Sequence, residues 1–206
     1  MFLSNGQYFS ENNFSNHQPG KNEDYSNLAS ALVGYLVERI SQTPFDTYCK
    51  NHIFTPLGMT KTEWKLAGIP LSEIAIPYSP NVTNGSPHYT FPDYPNGGMR
   101  TNVLDLSNFL RMVIQNGSFN GTQILSSSSM ATMKTLQFGS ADQCLSFYYD
   151  TLNGKRILGH SGGEQGATAE MYYDPATNVG AIVFSNEEDA KLDNIVALLL
   201  NYGEKQ

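Results

Sequence analysis

Basic residues are scarce and scattered, and 12 lysines and arginines against 19 acids leave the 206-residue chain at a formal net charge of −7. No basic run occurs, which argues against nucleic acid as a partner. No apolar stretch reaches the length of a membrane span. The start, Met1-Phe2-Leu3-Ser4-Asn5, lacks the basic-then-apolar pattern of a signal peptide. The two cysteines, Cys49 and Cys144, are too few for a disulfide framework and read as two half-buried thiols. The four histidines (His17, His52, His88, His160) are scattered, and none pairs with another ligand at metal-binding spacing. No Gly-rich loop sits between a strand and a helix to cradle phosphate. No metal and no cofactor are therefore expected. Charged residues make up only 15% of the chain, so the polar work falls to Asn, Ser, Thr and Gln.

What is present is enough for a sizeable core, with 12 tyrosines and 11 phenylalanines. Residues 1–24 are polar and Asn-rich, with Phe2, Phe9 and Phe14 as isolated anchors. Leu28, Leu32, Tyr35, Leu36 and Ile40 fall at helical spacing and predict an amphipathic helix over 27–41. Thr43-Pro44 reads as the N-cap and first position of a second helix, which carries Phe45, Tyr48 and Cys49 and stops before Pro56. Residues 66–98 hold six of the ten prolines and no sustained period, yet four aromatics and His88 favour an ordered loop. After Thr101-Asn102, a third helix is predicted to end at Asn116-Gly117. A short helical piece is expected around 128–136.

The pattern then turns to strands. Leu145–Tyr149 and Lys155–Leu158 flank Asn153-Gly154, a strong hairpin signal. Ala167–Tyr173 and Val179–Ser185 form a second pair, and a last helix over about 189–202 should bury Leu192, Ile195, Val196, Leu199 and Leu200. Helices, an antiparallel meander and a covering helix describe an α+β architecture, with a helical subdomain beside an antiparallel sheet.

Gly159-His160-Ser161-Gly162-Gly163 can be read as G-x-S-x-G, the nucleophile elbow of an esterase using Ser161. That elbow needs a helix after it and a histidine further along the chain. Here a strand follows, and no histidine comes after His160. A second reading takes in Tyr25-Ser26-Asn27 and, far downstream, His160-Ser161-Gly162. These resemble the second and third motifs of the penicillin-recognising serine hydrolases: class C β-lactamases, D-alanyl-D-alanine carboxypeptidases, D-aminopeptidases and related esterases. The likeness extends through Pro19-Gly20-Lys21, Pro56-Leu57-Gly58-Met59, Gly97-Gly98-Met99-Arg100-Thr101 with Asp105-Leu106, Asp174-Pro175 and Phe184-Ser185-Asn186. It runs from about residue 19 to the C-terminus, leaving 1–18 as an irregular lead-in to one partial domain over 1–206.

The resemblance implies roles. Tyr25 and His160 would be catalytic, relaying the nucleophile's proton; an isolated tyrosine, with its reference pKa near 10, needs nearby positive charge for that. Asn27 and Ser161 would bind substrate, with Gly162 beside them and the Gly163 N–H serving the oxyanion. A small-molecule or peptide substrate is implied: a D-amino-acid peptide, a β-lactam or a small ester. The whole protein would be periplasmic or secreted.

The family's nucleophile motif, S-x-x-K, is expected upstream of Tyr25. None of the lysines has a serine three residues before it. The chain is therefore expected to be the C-terminal portion of such a hydrolase, inactive alone, with its N-terminal portion as a possible partner in trans. The alternative is a non-catalytic remnant that binds a ligand or a protein. In the family fold the last strand pairs with one formed near the start, so Val179–Ser185 is expected on a free edge.

Overall fold

The computed structural model describes residues 6–80, 82–137 and 139–206. Met1–Asn5, including the expected anchor Phe2, lie outside them. Phe9 and Phe14 pack on each other, ring centroids 5.9 Å apart, around a single 3-10 turn.

Helix α1 spans Asn27–Ser41, capped by the Ser26 hydroxyl, which accepts from Ala29 N–H. Helix α2, Phe45–Cys49, continues through a π-helical turn to Phe54. Thr43 does not cap it. Pro44 holds the cap position, and the Phe45 N–H is satisfied from a distance by Glu38 Oε1 at 2.8 Å. Proline leaves no side chain to accept that proton, so the carboxylate of α1 does so and ties the two helices together.

The segment 66–98 is ordered by three 3-10 turns and by latches at its ends. Arg100 donates to the carbonyls of Gly98 (3.1 Å) and Tyr89, while Asn186 Nδ2 donates to Ile76 O at 2.9 Å. Helix α3 covers Val103–Ile114, with Asn102 as N-cap and the left-handed Asn116-Gly117 pair beyond its end. A two-residue hairpin follows, β1 (Ser118–Phe119) and β2 (Thr122–Gln123), then α4 (Ser127–Lys134).

Four strands build the main sheet, in chain order: β3 Tyr148–Leu152, β4 Lys155–Glu164, β5 Ala167–Asp174 and β6 Val179–Ser185, all antiparallel. The first hairpin turns at Asn153-Gly154, both at positive φ (50° and 79°), as a two-residue primed turn requires. β3 therefore lies three residues later than the Leu145–Tyr149 expected from hydrophobicity. The turn fixes the register, and Leu145–Phe147 precede the ladder. One sheet face, with Leu158, Met171 and Tyr173, packs on the helical layer. The other carries Ile157, Tyr172 and Ala181 beneath α5, Asp193–Gly203.

Two helices differ from their expected burial. Helix α5 starts four residues later than predicted and buries Leu192, Val196, Ala197 and Leu200, leaving Ile195 and Leu199 exposed. Leu192, Val196 and Leu200 form an i, i+4, i+8 stripe over the sheet, with Ala197 buried beside it. Helix α1 buries only Gly34, against Pro95, where a Cβ would come within 2.6 Å of the ring. Its predicted stripe, from Leu28 to Ile40, faces outward, with Ile40 82% exposed. Cys49 and Cys144 are free and fully buried rather than half-buried, and burial pushes the Cys49 thiol up to about 11. No helix among the described residues is long and apolar enough to cross a membrane.

Candidate functional site

The G-H-S-G-G segment lies inside β4 as extended strand, not on a turn. This geometry argues against the elbow reading: Ser161 sits on no strained turn, a strand and not a helix follows it, and its hydroxyl bonds the Tyr148 phenol and no histidine.

Register explains the surroundings of Ser161. Gly159 is opposite Tyr148 on one side and Tyr172 on the other. A Cβ at Gly159 would lie 2.7 Å from the Tyr172 ring. The bare glycine thus lets two phenols converge over it, their oxygens 2.5 Å apart. Tyr148 Oη is also 2.7 Å from Ser161 Oγ and accepts the Ser161 N–H at 3.2 Å. Burial first, then the Tyr148 contact, drives the Tyr172 phenol far above its usual range. Cross-strand from Ser161 stands Glu170, which burial, with Asp193 and Asp150 nearby, pushes up to about 7.

The His160 ring meets that of Tyr148 edge-on at 5.4 Å, and its Nδ1 bonds the Ser161 carbonyl. A carbonyl only accepts, so Nδ1 carries the proton; in the neutral ring Nε2 is then the free lone pair.

β3 pairs with β4 only as far as Gly159, so His160–Glu164 has no strand on that side among the described residues. Gly162 and Gly163 are exposed there, and a Cβ at Gly163 would meet nothing within 4 Å.

Tyr25 and Asn27 lie at the start of α1. Tyr25 is 76% exposed, and no hydrogen bond or ring contact joins either residue to β4 among the described residues. The connection between α1 and β4 is indirect. Gly34 and Glu38 rest on Pro95 and Tyr94, and the Gly97 that follows lies against Glu164 at the end of β4. The structure thus brings His160, Ser161, Gly162 and Gly163 together on β4, with Tyr25 and Asn27 at the start of α1.

Tyr148 and Tyr172 did not stand out as site residues in the sequence. The signal that places them is arithmetic: a two-residue turn at 153–154 fixes Tyr148 opposite Gly159. A cavity of about 850 Å³ lies beyond the β4–β5 turn, between the small floor residues Ala167 and Ala169, the wall at Arg100 and Thr101, and His88 of the long loop. Among the described residues, no three His, Cys, Asp or Glu side chains converge as metal ligands do.

An antiparallel meander between a covering helix and a helical layer, with an H-S-G-G strand half-exposed at its edge, defines a β-lactamase/transpeptidase-type fold. The family model described as Beta-lactamase matches residues 11–201, and the chain belongs to that family. It is 25% identical over 175 residues to Protein flp of Staphylococcus aureus (strain NCTC 8325 / PS 47), covering 82% of this chain. It spans about a third of that relative's length, 34%. Among solved structures it resembles the D-amino acid amidase from Ochrobactrum anthropi SV3, with a TM-score of 0.72 at 20% identity, over 92% of this chain and 60% of that one. The octameric penicillin-binding protein homologue from Pyrococcus abyssi gives a TM-score of 0.72 at 23% identity, over 92% and 45%. At these identities the structural likeness establishes the fold.

Proposed function

We propose that this chain supplies the second and third motifs of a serine hydrolase that works through an acyl-enzyme, acting on D-amino-acid amides or peptides, β-lactams or small esters. The observation that carries the reading is the His160–Glu164 half of β4, which pairs with β5 on one side and has no strand on the other among the described residues, so that it offers backbone donors at an open edge within a chain of this family.

In this reading the Gly163 N–H donates to the oxyanion, where a preorganised donor stabilises charge that develops only in the transition state. His160, with its proton on Nδ1, presents Nε2 to a proton in transit. Ser161 contacts substrate with its hydroxyl oriented by Tyr148. Asn27 offers an amide that both donates and accepts, and Tyr25 takes the nucleophile's proton. A phenol with its reference pKa near 10 needs a cation beside it for that task. No lysine or arginine contacts Tyr25 among the described residues. A Ser-x-x-Lys segment outside this sequence would supply both, the charge from its lysine and the nucleophile from its serine.

Covalent labelling tests this. The 206-residue chain is expected to take up neither a fluorescent penicillin nor a fluorophosphonate, and to label once a Ser-x-x-Lys segment of a relative is added in trans or fused ahead of it. Labelling of the chain alone, lost on Ser161→Ala, would overturn the reading in favour of an esterase elbow.

A further inference from the structure

In antiparallel strands, alternate residues turn both N–H and C=O to the same neighbour. The two-residue turn at 153–154 makes Leu152 and Lys155 a hydrogen-bonded pair, so every second residue from Lys155 turns its N–H and C=O toward β3. Gly159 meets Tyr148 there, and Ser161 and Gly163 face that side beyond the end of the pairing. An extended peptide laid along this edge would use successive rungs, two residues apart. Ser161 is already closed to it at both atoms. Its N–H is held by Tyr148 Oη at 3.2 Å, and its carbonyl accepts from His160 Nδ1. The next residue of that parity beyond Gly163 is Gln165, whose carbonyl accepts from the Tyr89 hydroxyl at 2.7 Å. Between them, Gly163 is exposed, makes no hydrogen bond on this side among the described residues, and has no side chain to shade its backbone.

We propose that Tyr148, His160 and Tyr89 shorten the binding edge to the single rung at Gly163, so that one aminoacyl amide or ester unit fills it and an extended peptide gains no further backbone hydrogen bond. This deepens the functional reading above and rests on it. Tyr148 is the positioning residue that fixes the register. Its ring is held from behind by Tyr172 and in front by His160, so the hydroxyl stays over the Ser161 rung. A ligand displacing it must break three contacts for one new hydrogen bond, which disfavours invasion of that rung.

The experiment follows backbone amides of the ¹⁵N-labelled 206-residue chain while D-alaninamide or D-alanyl-D-alanyl-D-alaninamide is added. Both ligands are expected to move the Gly163 resonance, with affinities within about twofold of each other, because only one rung is available. Tyr148→Phe keeps the ring and frees the Ser161 N–H. The tripeptide should then gain about three- to tenfold over the single amide, the worth of one net hydrogen bond, and Ser161 should shift as well. A wild-type chain that already prefers the tripeptide tenfold overturns the single-rung proposal while leaving the functional reading intact. An unchanged ratio in Tyr148→Phe does the same. If neither ligand moves any resonance from 160 to 164, the functional reading itself fails.

Discussion

The carboxylate of Asp105 accepts from the Thr62 hydroxyl at 2.9 Å, across 43 residues of sequence, and the same oxygen accepts the Lys61 N–H at 2.7 Å. Both side chains are buried. Asp105 also closes the start of α3, donating its own N–H to Asn102 Oδ1. One aspartate thus fastens the segment after α2 to the first turn of α3. Asp105→Ala should cost about 2–4 kcal/mol, because a buried hydroxyl and amide lose their acceptor together. Urea titration of the two proteins checks this. A difference under about 0.5 kcal/mol would mean that the fastening contributes little.

Glu170 gives the chain a pH dependence of definite sign. Its folded pKa is raised to about 7 from a reference of 4.5, chiefly by burial and then by Asp193 and Asp150. The folded state therefore holds this proton more tightly than the unfolded state does. Stability from this group is complete below about pH 4.5 and is lost as pH rises through about 7. Glu170→Gln should stabilise the protein by about 1–2 kcal/mol at pH 8, after allowance for solvent screening, and by nearly nothing at pH 4.5. Thermal melts at the two pH values decide it, and equal gains at both would show that the carboxylate does not titrate in this range.

β6 has no strand on its outer side among the described residues, as its expected edge position requires, and its sequence Val-Gly-Ala-Ile-Val-Phe-Ser holds no charge and no proline to blunt that edge. Alongside it, α5 exposes Ile195, Leu198, Leu199 and Tyr202, and α1 exposes its whole apolar stripe. The isolated chain should associate, with light scattering that rises with concentration. Because each copy carries a charge of −7, association should strengthen from 20 mM to 500 mM salt as repulsion is screened. Scattering that stays monomeric at every dilution and salt would indicate that these surfaces are covered.

Much of this fold was legible where periodicity and punctuation agree. Ser26 and Asn102 cap α1 and α3 as their positions suggest, and Asn153-Gly154 turns the first hairpin. The errors lie where a local pattern had to name its packing partner. The stripe of α1 is amphipathic in sequence, yet the surface it meets is reached through Gly34 and Glu38. Ile195 and Leu199 read as core because they are apolar, while the face that α5 turns to the sheet is that of Leu192, Val196, Ala197 and Leu200. At the site, the H-S-G-G residues were visible as a motif. The hydroxyls that tie down Ser161 were not, because Tyr148 and Tyr172 meet only through strand register across Gly159.

The sheet order has a kinetic consequence. Each strand of the meander pairs with the next along the chain, through connections of two to four residues, and α5 packs on the strand that precedes it. Residues 148–203 can therefore close every ladder with short loops, at small entropic expense. The contacts that hold the other layer span much longer separations: 56 residues from Glu38 to Tyr94, 76 from Tyr89 to Gln165, and 110 from Ile76 to Asn186. The meander and its helix should form early, and the proline-rich segment should dock on them last. In native-state hydrogen exchange that segment should be first to open, carrying away Tyr89 while the β4 ladder stays closed.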